Sequence, residues 1–310
     1  MSRVGGSGAG LLADRFDWNR ITKSDRAIGW LFVLPSVIVL AAIVIYPFIW
    51  LVFNSFFEFN QAGRREGFVG FANFITVLSD GRFLGSIWFT VLFVAVVVTV
   101  QFLLGLGIAL LLDETFDRPE LVTVLSIPPM TLSPIVAGLM WRMLFSPDFG
   151  LVNYWTGWTM DWIGQAPWTR VTIIIVDIWM WTPLFVLVFT ATLKSIPERY
   201  YEAARVDGMD AWQRFKWVTL PQLRTAVVIV LLLRVVRAFK VFPKVAVLTR
   251  GGPGSYTETI AMTTYKYGFE FFDIGRATAA GLLYWILMFA VAFVIFKAIA
   301  EDVIAPEGSR

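Results

Sequence analysis

Four cations recur between residues 234 and 244: Arg234, Arg237, Lys240 and Lys244, at spacings of 3, 3 and 4. On one helix that spacing forms a single stripe. The run around them, RTAVVIVLLLRVVRAFKVF, is otherwise apolar. A charge at the centre of a bilayer costs at least about 2.5 kcal/mol, so such residues pair or line a cavity. A carboxylate to match, Asp177, lies in a second apolar run, TRVTIIIVDIWMWTPLFVLVFTATL. That run would pass the other way and hold Asp177 at a comparable depth. Three arrangements are open. Lys240 and Lys244 can extend to the outer interface. Asp177 can neutralise Arg234 or Arg237. Or Asp177 satisfies part of the stripe, and a remaining guanidinium meets an oxyanion in a pathway, to which its planar fork binds bidentately. Trp179, Trp181, Tyr284 and Trp285 suit stacking on sugar rings, and suit packing or interface anchoring equally. Asp177 and Lys240 could be drawn as an acid and a base, but no second carboxylate completes a catalytic constellation.

A second group lies between those two runs. Residues 200–223 read YYEAARVDGMDAWQRFKWVTLPQL, a polar stretch in a chain that is 57% hydrophobic. Tyr201, Ala204 and Arg205 fall at i, i+3 and i+4 and share a helix face. Glu202, Ala203 and Arg205 through Asp207 continue the helix, and Gly208 is a natural stop. A second short helix is expected from about Asp210 to Val218, and Pro221 suits the first turn of the next long helix. Small residues beside a carboxylate fit a groove on another protein. The same pattern also fits an amphipathic helix resting on lipid.

The elements that position these groups follow from composition. Only 16% of the 310 residues are charged, against about 25% in soluble domains, and the chain holds 28 Phe and 14 Trp. Apolar runs of 18 or more residues point to transmembrane helices of about 20 residues each. The expected fold is an all-α membrane protein with six spans, roughly 27–53, 83–112, 121–145, 170–193, 223–248 and 277–300. The third contains IPPMTLSP, in which Pro128, Pro129 and Pro134 break the backbone ladder. A helix broken in this way faces protein or a water-filled cavity, as a pathway lining or a kinked packing helix.

Lys and Arg set the orientation. The first 26 residues carry five, the 194–216 stretch carries five, and residues 146–169 carry none. Both ends and the 194–222 loop are therefore expected in the cytoplasm, although the short loop DETFDRPE (113–120) is acidic. The first apolar stretch is too long for the core of a cleaved signal peptide. With no Cys and no His, thiol chemistry, disulfides and most zinc or haem sites drop out. No GxxxxGK[ST] stretch occurs, and no basic patch interleaved with aromatics supports nucleic-acid binding.

The segment from Glu202 to Pro221, opening EAARVDG and closing LP, closely resembles the EAA motif of permease subunits of binding-protein-dependent ABC importers. LTRGGPGSYTET (248–259), Tyr265-Lys266-Tyr267 and residues 275–280, GRATAA, resemble the last periplasmic segment and sixth span of the carbohydrate-type group. That group includes the larger maltose permease subunit and the glycerol-3-phosphate permease. WRMLFSPDFGLVN (141–153) is similar too, and the resemblance covers nearly all of residues 27–300. Thr225 stands where the motif often continues with Pro, and Met209 where Ala is common. Relatives tend to read FRxxDAFxxFD before the LTxGGP segment. Here LRVVRAFKVFPKVAVLT places Arg237 and Pro243 where an acid is frequent, which puts the group's usual neutral sugar in question.

The resemblance implies a division into a cytoplasmic tail (1–26), a six-helix permease domain (27–300, with the EAA loop at 194–222) and a short cytoplasmic C-terminal tail (301–310). In it, Glu202, Ala203, Ala204, Asp207 and Gly208 would form a coupling helix docked in a cleft of a separate ATPase. Gly251, Gly252, Pro253 and Gly254 would meet a periplasmic substrate-binding protein. Two ATPase subunits and a second, related permease would complete an inner-membrane complex. ATP and Mg would bind to the ATPases, with no cofactor in this chain. Asp177, Trp181, Arg234, Arg237, Lys240 and Tyr284 are the candidates along the solute pathway. The expected activity is import of a carbohydrate or polyol, or an anionic sugar derivative, with no enzymatic step in this chain. An autonomous carrier or channel is the alternative, but it has no use for an ATPase-docking helix.

Overall fold

In the computed structural model the described residues are 18–115, 124 and 126–304, with side chains described from 28 to 297 of these. Residues 1–17 of the expected N-terminal tail, 305–310 of the C-terminal tail, most of the loop 113–120 and the start of the third expected span lie outside them. Among the described residues, five helices are long and apolar enough to cross a membrane: Ile28–Asn54, Gly81–Thr115, Trp168–Ser195, Ala211–Phe239 and Ile274–Lys297. The chain divides into two compact units, residues 1–53 and 54–310. The described residues of the first, from Trp18, form the leading helix, which passes through a π-helical turn at Ala41–Ile45.

Where the third span was expected, at 121–145, the described residues form short helices at Pro128–Thr131 and Pro134–Leu144. The cause is the one the prolines imply. Pro129 and Pro134 have no N–H to donate to an uninterrupted ladder, and Leu132 and Ser133 between the helices are extended. The fold is also not wholly helical. Phe57–Phe59 and Arg65–Phe68 pair antiparallel as a small hairpin. Asn60 stabilises its turn by accepting from the backbone N–H groups of Ala62 and Arg64 at 3.0 Å.

The second unit is built around the packing of Gly81–Thr115 against Trp168–Ser195, two helices that run in the same direction. Phe89, Phe93 and Val97 of the first meet Ile173 and Val176 of the second, with Val235 and Phe239 completing the cluster. Toward the other end of the same helices, Ala109, Phe185, Phe189, Leu193, Leu223 and Val230 form a second apolar cluster. A third, comprising Val77, Phe83, Ile260, Tyr267, Ala279 and Ala280, joins Ala72–Ser79, Ile260–Phe269 and the last helix.

One boundary differs from expectation in a way that matters. The fifth span was expected to run through residue 248. Its helix ends at Phe239, and a separate helix, Pro243–Leu248, follows. Pro243 cannot donate to a continuing ladder but is tolerated at a helix start, so the chain stops and restarts there. Its other end extends further than expected: Ala211–Arg214 passes through a π-helical stretch, Phe215–Thr219, into Leu220–Phe239.

Candidate functional site

The cations of the expected stripe divide between two settings. Arg234 and Lys244 are buried, at 1% and 4% exposure, and both form ion pairs with Asp177, itself 1% exposed. Arg234 holds Oδ2 and Lys244 holds Oδ1. Lys244 therefore does not extend to an interface. The break before Pro243 turns the chain back and delivers its ammonium to the carboxylate. Gln101 closes the network. Its amide donates to the Asp177 backbone carbonyl at 2.8 Å and to Oδ2 at 3.2 Å, and its carbonyl accepts from Arg234 Nε at 2.8 Å. Three long helices and the short one after Phe239 thus meet at a single carboxylate. Gln101 was missed from sequence. Its signal was there: an amide in the otherwise apolar run FVAVVVTVQFLLGLGIALLL.

Arg237 and Lys240 lie outside this network and are exposed. Among the described residues neither forms an ion pair. The Arg237 guanidinium lies 5.1 Å from the Trp181 ring centroid and that of Arg234 5.5 Å, within cation–π range. Trp181 is half-buried one turn beyond Asp177 on the same helix. Tyr284 is engaged elsewhere: its hydroxyl donates to the Phe239 carbonyl at 2.9 Å, satisfying an acceptor left open where the helix stops. Trp179 packs edge-on against Trp141 at 5.5 Å.

The polar loop forms the helix Glu198–Val206. Ala204 faces inward at 3% exposure, and the Tyr201 hydroxyl lies 3.1 Å from Thr219 Oγ1, fastening the helix to the start of the next long one. Glu202, Ala203, Asp207 and Gly208 are exposed, as is Val206, at 89%. Gly208 has φ +74, a left-handed conformation that glycine adopts without the penalty a Cβ brings. Its N–H donates to the Arg205 carbonyl at 3.1 Å, and Met209 donates to Ala204 at 2.9 Å, closing the helix end. Asp210 then opens the next helix with a capping box to Gln213.

At residues 249–259 the backbone folds into a braced loop. Gly251 has φ +87, and a Cβ there would lie 2.7 Å from Glu258 Cγ. Thr257 N donates to the Gly251 carbonyl at 3.1 Å, and Thr257 Oγ1 to the Gly252 carbonyl at 2.8 Å. Pro253, Gly254 and Ser255 form the exposed tip. Beneath it Glu258, 1% exposed, accepts from Arg82 Nε at 2.6 Å and from Lys266 Nζ at 2.9 Å. Burial works to raise its carboxyl, but the hydrogen bonds from Arg82 and Lys266 outweigh it and hold it below the ordinary carboxylate range. This triad was also missed from sequence, because Arg82 and Glu258 are 176 residues apart.

Comparison with known proteins bears on the whole of this arrangement. Residues 101–304 match the model of the family described as binding-protein-dependent transport system inner membrane component. The trehalose/maltose transport system permease protein MalF of Thermococcus litoralis is 30% identical over 283 residues, covering 90% of this chain and 96% of the relative. The sulfoquinovosyl glycerol transport system permease protein SmoG of Agrobacterium fabrum is 31% identical, covering 91% and 94%. Among solved structures, a bacterial ABC transporter involved in the import of the acidic polysaccharide alginate superposes with a TM-score of 0.79 at 22% identity. That match covers 91% of this chain and 99% of that one, and it shows the shared fold. This chain belongs to the family of inner membrane components of binding-protein-dependent transport systems.

Proposed function

We propose that this chain is one of two transmembrane subunits of an ATP-driven importer that carries a carbohydrate from the periplasm into the cytoplasm. The observation that carries the reading is the Glu198–Val206 helix with its left-handed Gly208, presented between two membrane-spanning helices in a chain of this family. Glu202, Ala203, Ala204, Asp207 and Gly208 form the element that docks on a separate ATPase. Four of the five are exposed, and Ala204 keeps the inner face thin enough to lie close to the membrane helices. The exposed tip Pro253–Ser255, held on Gly251 and Gly252, is the contact for a substrate-binding protein on the opposite side. The count of Lys and Arg supports cytoplasmic termini and a cytoplasmic EAA loop. The carbohydrate class rests on relatives named for trehalose/maltose and sulfoquinovosyl glycerol transport. ATP and Mg belong to two partner ATPase subunits, and the chemistry of hydrolysis is theirs.

The test is purification through a tag on this chain from its native host, followed by reconstitution in vesicles. A nucleotide-binding ATPase and a second permease should accompany it, and uptake of labelled sugars should require ATP and the binding protein. A chain that purifies alone and moves solute without ATP would be an autonomous carrier, and the proposal would fail.

A further inference from the structure

We propose that Arg237, presented beside Trp181, is a recognition site for an oxyanion carried on the transported sugar, so that the importer takes a phosphorylated, sulfonated or carboxylated carbohydrate. The inference rests on the carbohydrate-import reading and deepens it. It begins from a charge imbalance. Asp177 is the one carboxylate in the cluster, and its two oxygens are already taken by Arg234 and Lys244. Those two cations alone exceed its charge. Arg237 and Lys240 add two more, with no ion pair of their own among the described residues. Arg237 lies one turn above Arg234, on the last turn of the helix ending at Phe239. A guanidinium on a membrane-spanning segment does not face lipid without cost, so it faces water or a charge of opposite sign.

The setting adds direction to the charge. Asp177, Gln101 and Arg234 are buried and mutually hydrogen-bonded, which fixes the helix faces that carry Trp181 and Arg237. Trp181 holds the Arg237 guanidinium over its ring in a cation–π contact, 5.1 Å from the centroid, and so orients the fork. A guanidinium so oriented, with no ion pair among the described residues, matches a solute that carries an oxyanion. A neutral sugar would leave the positive charge unanswered.

The experiment uses the assembled complex in proteoliposomes with its binding protein inside the assay. Uptake of glucuronate, glucose 6-phosphate and 6-sulfonated glucose is measured beside glucose and trehalose. The wild type should take up at least one anionic sugar in preference to its neutral parent. Arg237→Gln should lower that anion-to-neutral ratio about tenfold, the loss of one charge-assisted contact, and Arg237→Lys should recover part of it. Size-exclusion of each variant complex checks its assembly. A wild type selective for neutral sugars, or a ratio unchanged in Arg237→Gln, overturns the oxyanion site while import of carbohydrate stands. Loss of assembly in Arg237→Gln, with no uptake left to compare, assigns Arg237 to a contact with the partner permease instead, which also overturns it. Uptake of no sugar at all by the wild type overturns the import reading with it.

Discussion

Asp177 answers two buried cations at once, and that makes it the most consequential single carboxylate in the membrane-embedded part of the chain. Removing one member of a buried ion pair costs roughly 3–5 kcal/mol, because the partner charge is left in a medium that cannot solvate it. Asp177→Asn keeps the shape and strands both Arg234 and Lys244. We expect the complex to melt well below wild type, and Asp177→Glu to lie between the two. Equal melting of Asp177→Asn and wild type would remove Asp177 as the anchor. Glu258 is the corresponding residue beneath the braced loop. Its loss should cost toward the lower end of the same range, since the Arg82 side chain is 29% exposed and can rehydrate. Its pH dependence has a definite sign. A carboxyl whose folded value is depressed contributes stability that is complete above the unfolded value, about 4.3, and lost as pH falls through the folded one. The difference in melting temperature between wild type and Glu258→Gln should therefore persist down to about pH 4.3 and shrink only below it. A difference that disappears already near pH 6 would contradict the assignment.

At the scale of elements, the Glu198–Val206 helix and its turn carry the clearest prediction. Gly208 has open space where a Cβ would go, so the penalty for Gly208→Val is one of backbone conformation, about 1 kcal/mol or more at φ +74. That should leave insertion in the membrane intact and re-aim the exposed helix. Glu202→Lys changes the charge on its outer face. Both variants should lose transport and lose the dependence of ATP hydrolysis on binding protein; transport at wild-type rate by both would end the coupling assignment. This turn was legible in the sequence because its cause is local: an amphipathic turn, then a glycine. The broken third span was legible for the same reason, since proline acts on its own backbone. The end of the fifth helix was not. A 3, 3, 4 spacing reads as one stripe only while the helix continues, and the period of the cations outweighed Pro243, which should have ended it. The hairpin at Phe57–Phe68 was missed because its strands are three and four residues long and carry little period. The Gln101 and Glu258 contacts join residues far apart in the chain, and no local pattern announces them.

Over the whole second unit, the connectivity ties the three groups together. The helix bearing Asp177 is joined to Glu198–Val206 by the two extended residues Ile196 and Pro197, and the helix leaving that loop carries Arg234 and Arg237, followed by Lys244 and the braced loop. Asp177 and Arg234 thus cross-link the two helices on either side of the proposed ATPase-docking element. A displacement of that element reaches the ion network across the short extended joint Ile196–Pro197 on one side and the Gly208 turn on the other, each leading into a long helix, and reaches residues 249–259 through one further short helix. For this route to serve import, the docking element and the braced loop must open to opposite sides of the membrane. The chain has no Cys, so a single one introduced at Ser255, in the exposed tip, is its only thiol. A bulky membrane-impermeant maleimide applied from outside to Ser255→Cys should abolish uptake, because it occupies the surface the binding protein needs. The same reagent confined to the cytoplasmic side should leave uptake unchanged, whereas it should label Glu202→Cys. Reversed labelling of the two positions would invert the topology, and with it the direction of transport.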